Sequence, residues 1–145
     1  MQRGFRVFVA AAAVASASLV IRADAPSSQA SEVQLQLGDL LSSEGRFLDA
    51  LDAYKLALKA APPDDARRAR VGVIMAALRV AEFDLARKEA EVLNRAEPTN
   101  PQSMTLYADA LWSMGLFQEA ESLYERSLVA SPNLARGHHG MANGF

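Results

Sequence analysis

Four landmark residues recur in the same order three times along the chain: Phe47, Ala50, Ala60 and Pro62, then Phe83, Ala86, Ala96 and Pro98, then Phe117, Ala120, Ala130 and Pro132. All four move by 36 residues at the first recurrence and by 34 at the second. A uniform shift confines the difference to one two-residue insertion. Pro63-Asp64-Asp65-Ala66, between one unit's last landmark and the next helix, is where it falls, and a turn absorbs an insertion without disturbing packing. A period of this length means stacked supersecondary units, none of which buries its apolar face alone.

Each unit reads as two amphipathic helices of about 12–14 residues, with apolar side chains three and four places apart. In the second helix of the first unit the stripe is Phe47, Ala50, Leu51, Tyr54, Ala57 and Leu58, with Leu56 off it. Small residues at Ala50 and Ala120 let neighbouring helices approach closely, and bulk there would push them apart. Gly45 and Gly115 fall at the inter-helix turns, where a positive φ costs glycine nothing. Asn100-Pro101 marks a helix start, an N-cap acceptor followed by proline at the first helical position. Pro62, Pro98 and Pro132 follow the ends of second helices, which proline cannot continue.

Units of 34 residues with these landmarks resemble the tetratricopeptide repeat. In the first unit Leu37-Gly38 fits the family's Leu-Gly pair, Leu41 stands where a Tyr is usual, and Ala50, Tyr54, Ala57 and Pro62 follow in register. The third unit keeps Tyr107-Ala108, Leu111, Ala120, Tyr124 and Pro132. The middle unit is weaker, with Val73-Ile74 for Leu-Gly and Ala90 for the aromatic; the family's early Trp is replaced throughout, by Gln34, Arg70 and Met104. The resemblance implies an all-α fold: a right-handed superhelical α-solenoid of three helix–turn–helix units at residues 31–64, 67–100 and 101–134. Residues 135–145 fit a partial fourth unit or capping helix, weakened by Gly137, Gly140 and Gly144 at roughly 1 kcal/mol each if helical. They also fit a chain that is the front end of a longer protein.

Residues 1–30 are of another kind. Arg3 and Arg6 precede residues 7–21, a run of fifteen without a charge that ends at Arg22. A membrane-spanning helix needs about 20 apolar residues, so this run has the length of a signal-peptide core. Small-x-small sites place cleavage after Ala25 or Ala30, the second favoured because Pro26 follows the first; an uncleaved anchor is the alternative. The expectation is an exported chain, periplasmic or secreted, with no membrane insertion once the leader is removed. Losing Arg3, Arg6, Arg22 and Asp24 takes the formal charge from −2 to −4. Nothing in that balance draws the chain to nucleic acid or anionic lipid. The densest basic stretch, Arg67-Arg68-Ala69-Arg70, directly follows Asp64-Asp65.

Catalytic signatures are missing from the sequence. There is no phosphate-cradling glycine loop, His-Glu-x-x-His helix or Gly-x-Ser-x-Gly elbow. With no cysteine, disulfides, thiolate metal sites and thiol nucleophiles are excluded. His138 and His139 are adjacent and would point about 100° apart on a helix, so they cannot share an ion from one face. Asp49/Asp52 and Glu119/Glu121 read as solvated helix faces. No cofactor, metal or enzymatic activity is expected.

Binding is where the sequence has content. In the tetratricopeptide family the first helices of successive units line a concave groove. Carrying those places over gives Leu35 and Asp39, flanked by Glu32 and Ser42, from the first unit. The second gives Arg68, Val71, Met75 and Arg79, with Leu78 beside them; the third gives Thr105, Asp109 and Trp112, with Gln102. The subtype that grips a peptide's terminal carboxylate with Lys, Arg and Asn is not expected, because Asp39, Met75 and Asp109 stand where its asparagines would be. A mixed groove remains, with Trp and Arg of the kind that dominate binding hot spots. The expected partner is a protein or peptide, a short helix or extended segment with an apolar anchor. Two alternatives are the front repeat module of a larger exported enzyme or envelope assembly, and a self-associating structural array.

Overall fold

The computed structural model describes residues 25–63 and 65–133. The apolar run at residues 7–21, expected as a signal-peptide core, and the expected partial fourth unit at 135–145 lie outside them. Six helices follow one another: α1 (Ala25–Ser43), α2 (Phe47–Ala60), α3 (Ala66–Arg79), α4 (Phe83–Ala96), α5 (Pro101–Ser113) and α6 (Phe117–Ala130). The landmarks mark the second helices: Phe47, Phe83 and Phe117 begin α2, α4 and α6, Ala60, Ala96 and Ala130 end them, and Pro62, Pro98 and Pro132 lie beyond.

The same local turn joins the two helices of every unit. Backbone N–H groups of Arg46, Glu82 and Leu116 donate to the carbonyls of Leu41, Ala77 and Leu111 at 2.9, 2.9 and 3.0 Å, the six-to-one bond of a Schellman ending. That ending needs a left-handed residue, supplied by Gly45 (φ 76°) and Gly115 (φ 78°). In the middle unit Ala81 takes the place with φ 63°, at a cost of roughly 1 kcal/mol for an L side chain. Asn100 caps α5 as its sequence requires, its side chain accepting from the N–H groups of Gln102 and Ser103 at 2.9 and 3.3 Å. Ahead of α3, Asp65 and Ala66 donate to the Pro62 carbonyl.

The alanines lie where helices touch. Ala50, Ala57, Ala86, Ala90 and Ala120 have no exposed surface. The main core runs from Leu35 and Leu41 through Leu51, Tyr54, Val73, Ile74 and Leu93 to Leu106. A second cluster of Met104, Ala108, Leu111, Ala120, Leu123 and Tyr124 holds α5 to α6.

Which helices touch sets the curvature. Each helix packs on its neighbour in the chain, and in addition α1 touches α3 and α3 touches α5. Among the described residues α2, α4 and α6 do not approach one another in the same way. A row of touching first helices is shorter than the spread row of second helices. The array therefore curves, with α1, α3 and α5 on the concave side.

Candidate functional site

The concave face carries the expected residues at different depths. Leu35 is 3% exposed and Thr105 fully closed off, because first helices in direct contact put these places in the seam between them. The Thr105 hydroxyl donates back to the Pro101 and Gln102 carbonyls. Leu35 also floors a polar cleft of about 550 Å³ with Ser28, Glu32, Asp65, Arg67 and Arg68. Val71 is half-buried against the main core. These residues shape the groove and offer a ligand little.

The charged residues split into committed and available groups. Asp39 accepts from the Tyr54 hydroxyl at 2.8 Å and from Arg68 Nη2 at 2.7 Å, so each carboxylate oxygen has a partner. Arg68 also reaches Glu32 at 3.3 Å, and its pKa is raised chiefly by the Asp39 hydrogen bond. Burial, then the hydrogen bond to Asp39, pushes the Tyr54 phenol up to about 12. Asp109 accepts from the Tyr124 hydroxyl at 2.7 Å, the same contact two units on. Neighbouring Arg67 binds Glu97 at 2.6 Å and Gln102 at 3.0 Å. It holds the Glu97 carboxyl below its usual range, helped by the Ser103 hydroxyl and opposed by partial burial. The Tyr–Asp bonds tie the two helices of a unit together, and Arg68 and Arg67 brace one unit against the next.

Arg79 differs. It has no ion-pair partner among the described residues, and its guanidinium carbon stands 4.5 Å from the centre of the Phe47 ring, within cation–π range. With Ser42, Met75, Leu78 and Phe47 it lines a cleft of about 350 Å³ between α1, α2 and α3. Met75 is 42% exposed there, since the middle unit has Met where the outer units have a braced Asp. Trp112 lies at the α5 end of the face, half-buried, with its ring edge-on to Phe117 at 4.7 Å and 61°. Its packing partner is the turn into α6.

Reading the sequence placed Met75 and Arg79 on this face but did not link them to Phe47, which had figured as a repeat landmark and as part of the apolar stripe of its helix. The contact spans two units, so no spacing within one unit signals it. Among the described residues no group of three or more His, Asp or Glu could hold a metal ion, and no helix is long and apolar enough to cross a membrane.

The family model of the tetratricopeptide repeat matches residues 31–64 and 101–134. Those two units are tetratricopeptide repeats. The unmatched middle unit is the one with Val73-Ile74 and Ala90 in place of the family's residues, yet it folds as the same helix pair. Among solved structures, this repeat array is similar to the Arabidopsis OM64 TPR domain, with a TM-score of 0.72, 18% identity and coverage of 81% of this chain and 96% of that one. The first TPR of Spaghetti, solved with an HSP90 peptide, gives 0.71 at 20% identity, covering 81% and 91%. The second TPR domain of human RPAP3, in complex with an HSP70 peptide, gives 0.68 at 15% identity, covering 83% and 97%. At these identities the likeness fixes the fold. No curated protein matches the chain in sequence.

Proposed function

We propose that the chain is an exported, non-catalytic scaffold that holds a segment of a partner protein on the concave face formed by α1, α3 and α5. The observation that carries this reading is the cleft at Met75 and Arg79, where an exposed thioether, an aromatic ring and an uncommitted cation meet. Such a site suits a peptide with an apolar side chain to fill the cleft and a carboxylate nearby to meet Arg79. Peptides bound to the Spaghetti and RPAP3 domains support a peptide ligand for this architecture. Since Asp39 and Asp109 are already hydrogen-bonded, they are assigned to shaping the face.

Export rests on the leader pattern of residues 1–30, with cleavage after Ala25 or Ala30. Mass spectrometry of the mature N-terminus tests it, and an intact Met1 on soluble cytosolic protein would sink it.

The binding reading is tested by capture from an exported-protein fraction, followed by affinity measurement on the purified partner. Met75→Glu and Arg79→Glu are expected to weaken binding more than tenfold with helicity retained. Lys88→Glu on exposed α4 is the control. Equal affinity in all three variants rejects the groove.

Self-association is the second reading, favoured by one observation. Val33, Leu37 and Leu40 form an exposed apolar stripe on α1 beside Leu56 of α2, over a cleft of about 690 Å³. Such an end face can stack on another copy. Sedimentation showing a monomer at high concentration removes that reading.

A further inference from the structure

The stripe of Val33, Leu37 and Leu40 on α1 stands at places that are covered elsewhere in the array. Thirty-six residues on, in α3, the same places hold Ala69, Val73 and Ala76, at most 2% exposed. In α5 the first and last of them are Ser103 and Ala110, both fully closed off. At these inner junctions the second helix of one unit packs on the first helix of the next, and side chains this small let it come close. On α1 the stripe is 62, 42 and 56% exposed. Val33 and Leu40 at its outer places hold a neighbour farther off than Ala or Ser would. The face is therefore shaped for a helix at the wider end of the roughly 8–10 Å range, not for another closely stacked repeat.

The spacing suits such a helix. Ala30, Val33, Leu37 and Leu40 follow at intervals of three, four and three, the seam of a two-helix contact. Two α1 helices laid antiparallel about a two-fold axis at Leu37 set Val33 against Leu40 of the other copy, and Leu37 against Leu37. The polar residues bordering the middle of this seam, Gln29 and Gln36, are uncharged, so no like charges meet beside the axis.

The charges at the ends of the seam are arranged for the same pairing. Lys59 of α2 lines the cleft with Ala30 and Val33, near the start of α1, whereas Glu44 directly follows the end of α1. Both are exposed. Lys59 has no ion-pair partner among the described residues, and Glu44 reaches only Arg46, at 3.7 Å. Reversing one copy brings Lys59 to Glu44 at both ends of the seam. A parallel pairing would bring Lys59 to Lys59 and Glu44 to Glu44, which repel. Resting on the self-association reading, we propose that the exposed face of α1 is a homodimer interface, filled by the antiparallel α1 of a second copy, with Lys59 of each copy paired to Glu44 of the other. Ser42, which lines the cleft at Arg79, lies nine places from Val33 and so on the opposite side of α1. The dimer thus keeps two open clefts and can hold two partner segments at once.

The test uses the full chain, which has no cysteine, so single cysteines report on the axis. Under mild oxidation Leu37→Cys is expected to cross-link two copies. Val33→Cys and Leu40→Cys are each expected to stay uncross-linked alone and to cross-link when mixed. Sedimentation equilibrium is expected to show a dimer whose dissociation constant rises more than about tenfold in Leu37→Glu, with the 222 nm signal retained. Lys59→Glu is expected to weaken the dimer severalfold, and adding Glu44→Lys to recover it. Cross-linking by Val33→Cys alone means a parallel pairing and overturns the proposal. A dimer that Leu37→Glu leaves intact, or that Leu37→Cys fails to cross-link, overturns it too, while leaving self-association through another face. A monomer at every concentration overturns both readings and gives the stripe to a different protein.

Discussion

Gly72→Ala puts the packing between units to a quantitative test. On an ordinary helix this change stabilises by about 0.8–1 kcal/mol, since alanine has the better propensity. Here the new Cβ would stand 2.6 Å from Cε1 and 2.7 Å from Cγ of Tyr54, about 1 Å inside the usual carbon–carbon separation of roughly 3.5–4.0 Å. The ring has no easy retreat. Gly38 also stands against its Cδ1–Cε1 edge, and its hydroxyl is held by Asp39, itself held by Arg68. Overpacking costs about 1–3 kcal/mol, and a displaced ring also forfeits a hydrogen bond to a charged acceptor worth about 1.5–3 kcal/mol. Set against the propensity gain, the net loss comes to about 1.5–5 kcal/mol, or several degrees and upward in the unfolding midpoint. Circular dichroism during urea and thermal unfolding measures it. The control is Tyr54→Leu, in which Gly72→Ala should become neutral or stabilising. If Gly72→Ala stabilises the natural chain, the account of the wedged ring is wrong.

Asn100→Ala removes the one side-chain cap seen among the described helices and should cost about 1 kcal/mol by chemical denaturation; Asn100→Ser should recover most of it. Ultraviolet titration should find a phenol that ionises near 12 and is lost in Tyr54→Phe. Because this folded-state pKa lies above the ordinary 10, its stabilising effect is complete below pH 10 and disappears as the pH rises toward 12. Glu97 has the opposite sign: its depressed pKa contributes stability above the ordinary carboxyl range, lost as the pH falls through the folded value. Arg67→Gln should therefore flatten the acid limb of the stability profile. Ala81→Gly relieves a left-handed alanine but loosens the unfolded chain, so the two effects of about 1 kcal/mol nearly cancel; a loss above about 2 kcal/mol would show that the Ala81 methyl packs.

The six helices were legible because their signals are local. Phe47, Phe83 and Phe117 open helices, Asn100-Pro101 caps one, and the glycines at 45 and 115 end two more within a few residues of the bonds they make. The turn at Ala81 was not legible, since an alanine there makes the same left-handed ending, with Glu82 bonded to Ala77, where local preference asks for glycine. The groove was legible as a face but not in depth. Leu35 and Asp39 look equally available from spacing alone. One is sealed by the approach of α3, and the other is taken by Tyr54 and Arg68 from 15 and 29 residues away. Such contacts are set by how units stack, and a period marks where units begin without saying which side chains meet between them.

Hydrogen–deuterium exchange on the chain with its purified partner tests the central claim most directly, because it reads binding helix by helix. Binding in the groove should slow exchange in α3 and at the adjoining C-terminal end of α1, around Met75, Arg79 and Ser42, while the outward faces of α2 and α4 keep their free-state rates. Protection confined to α2, α4 or α6 would contradict the account and move the binding site to the convex side.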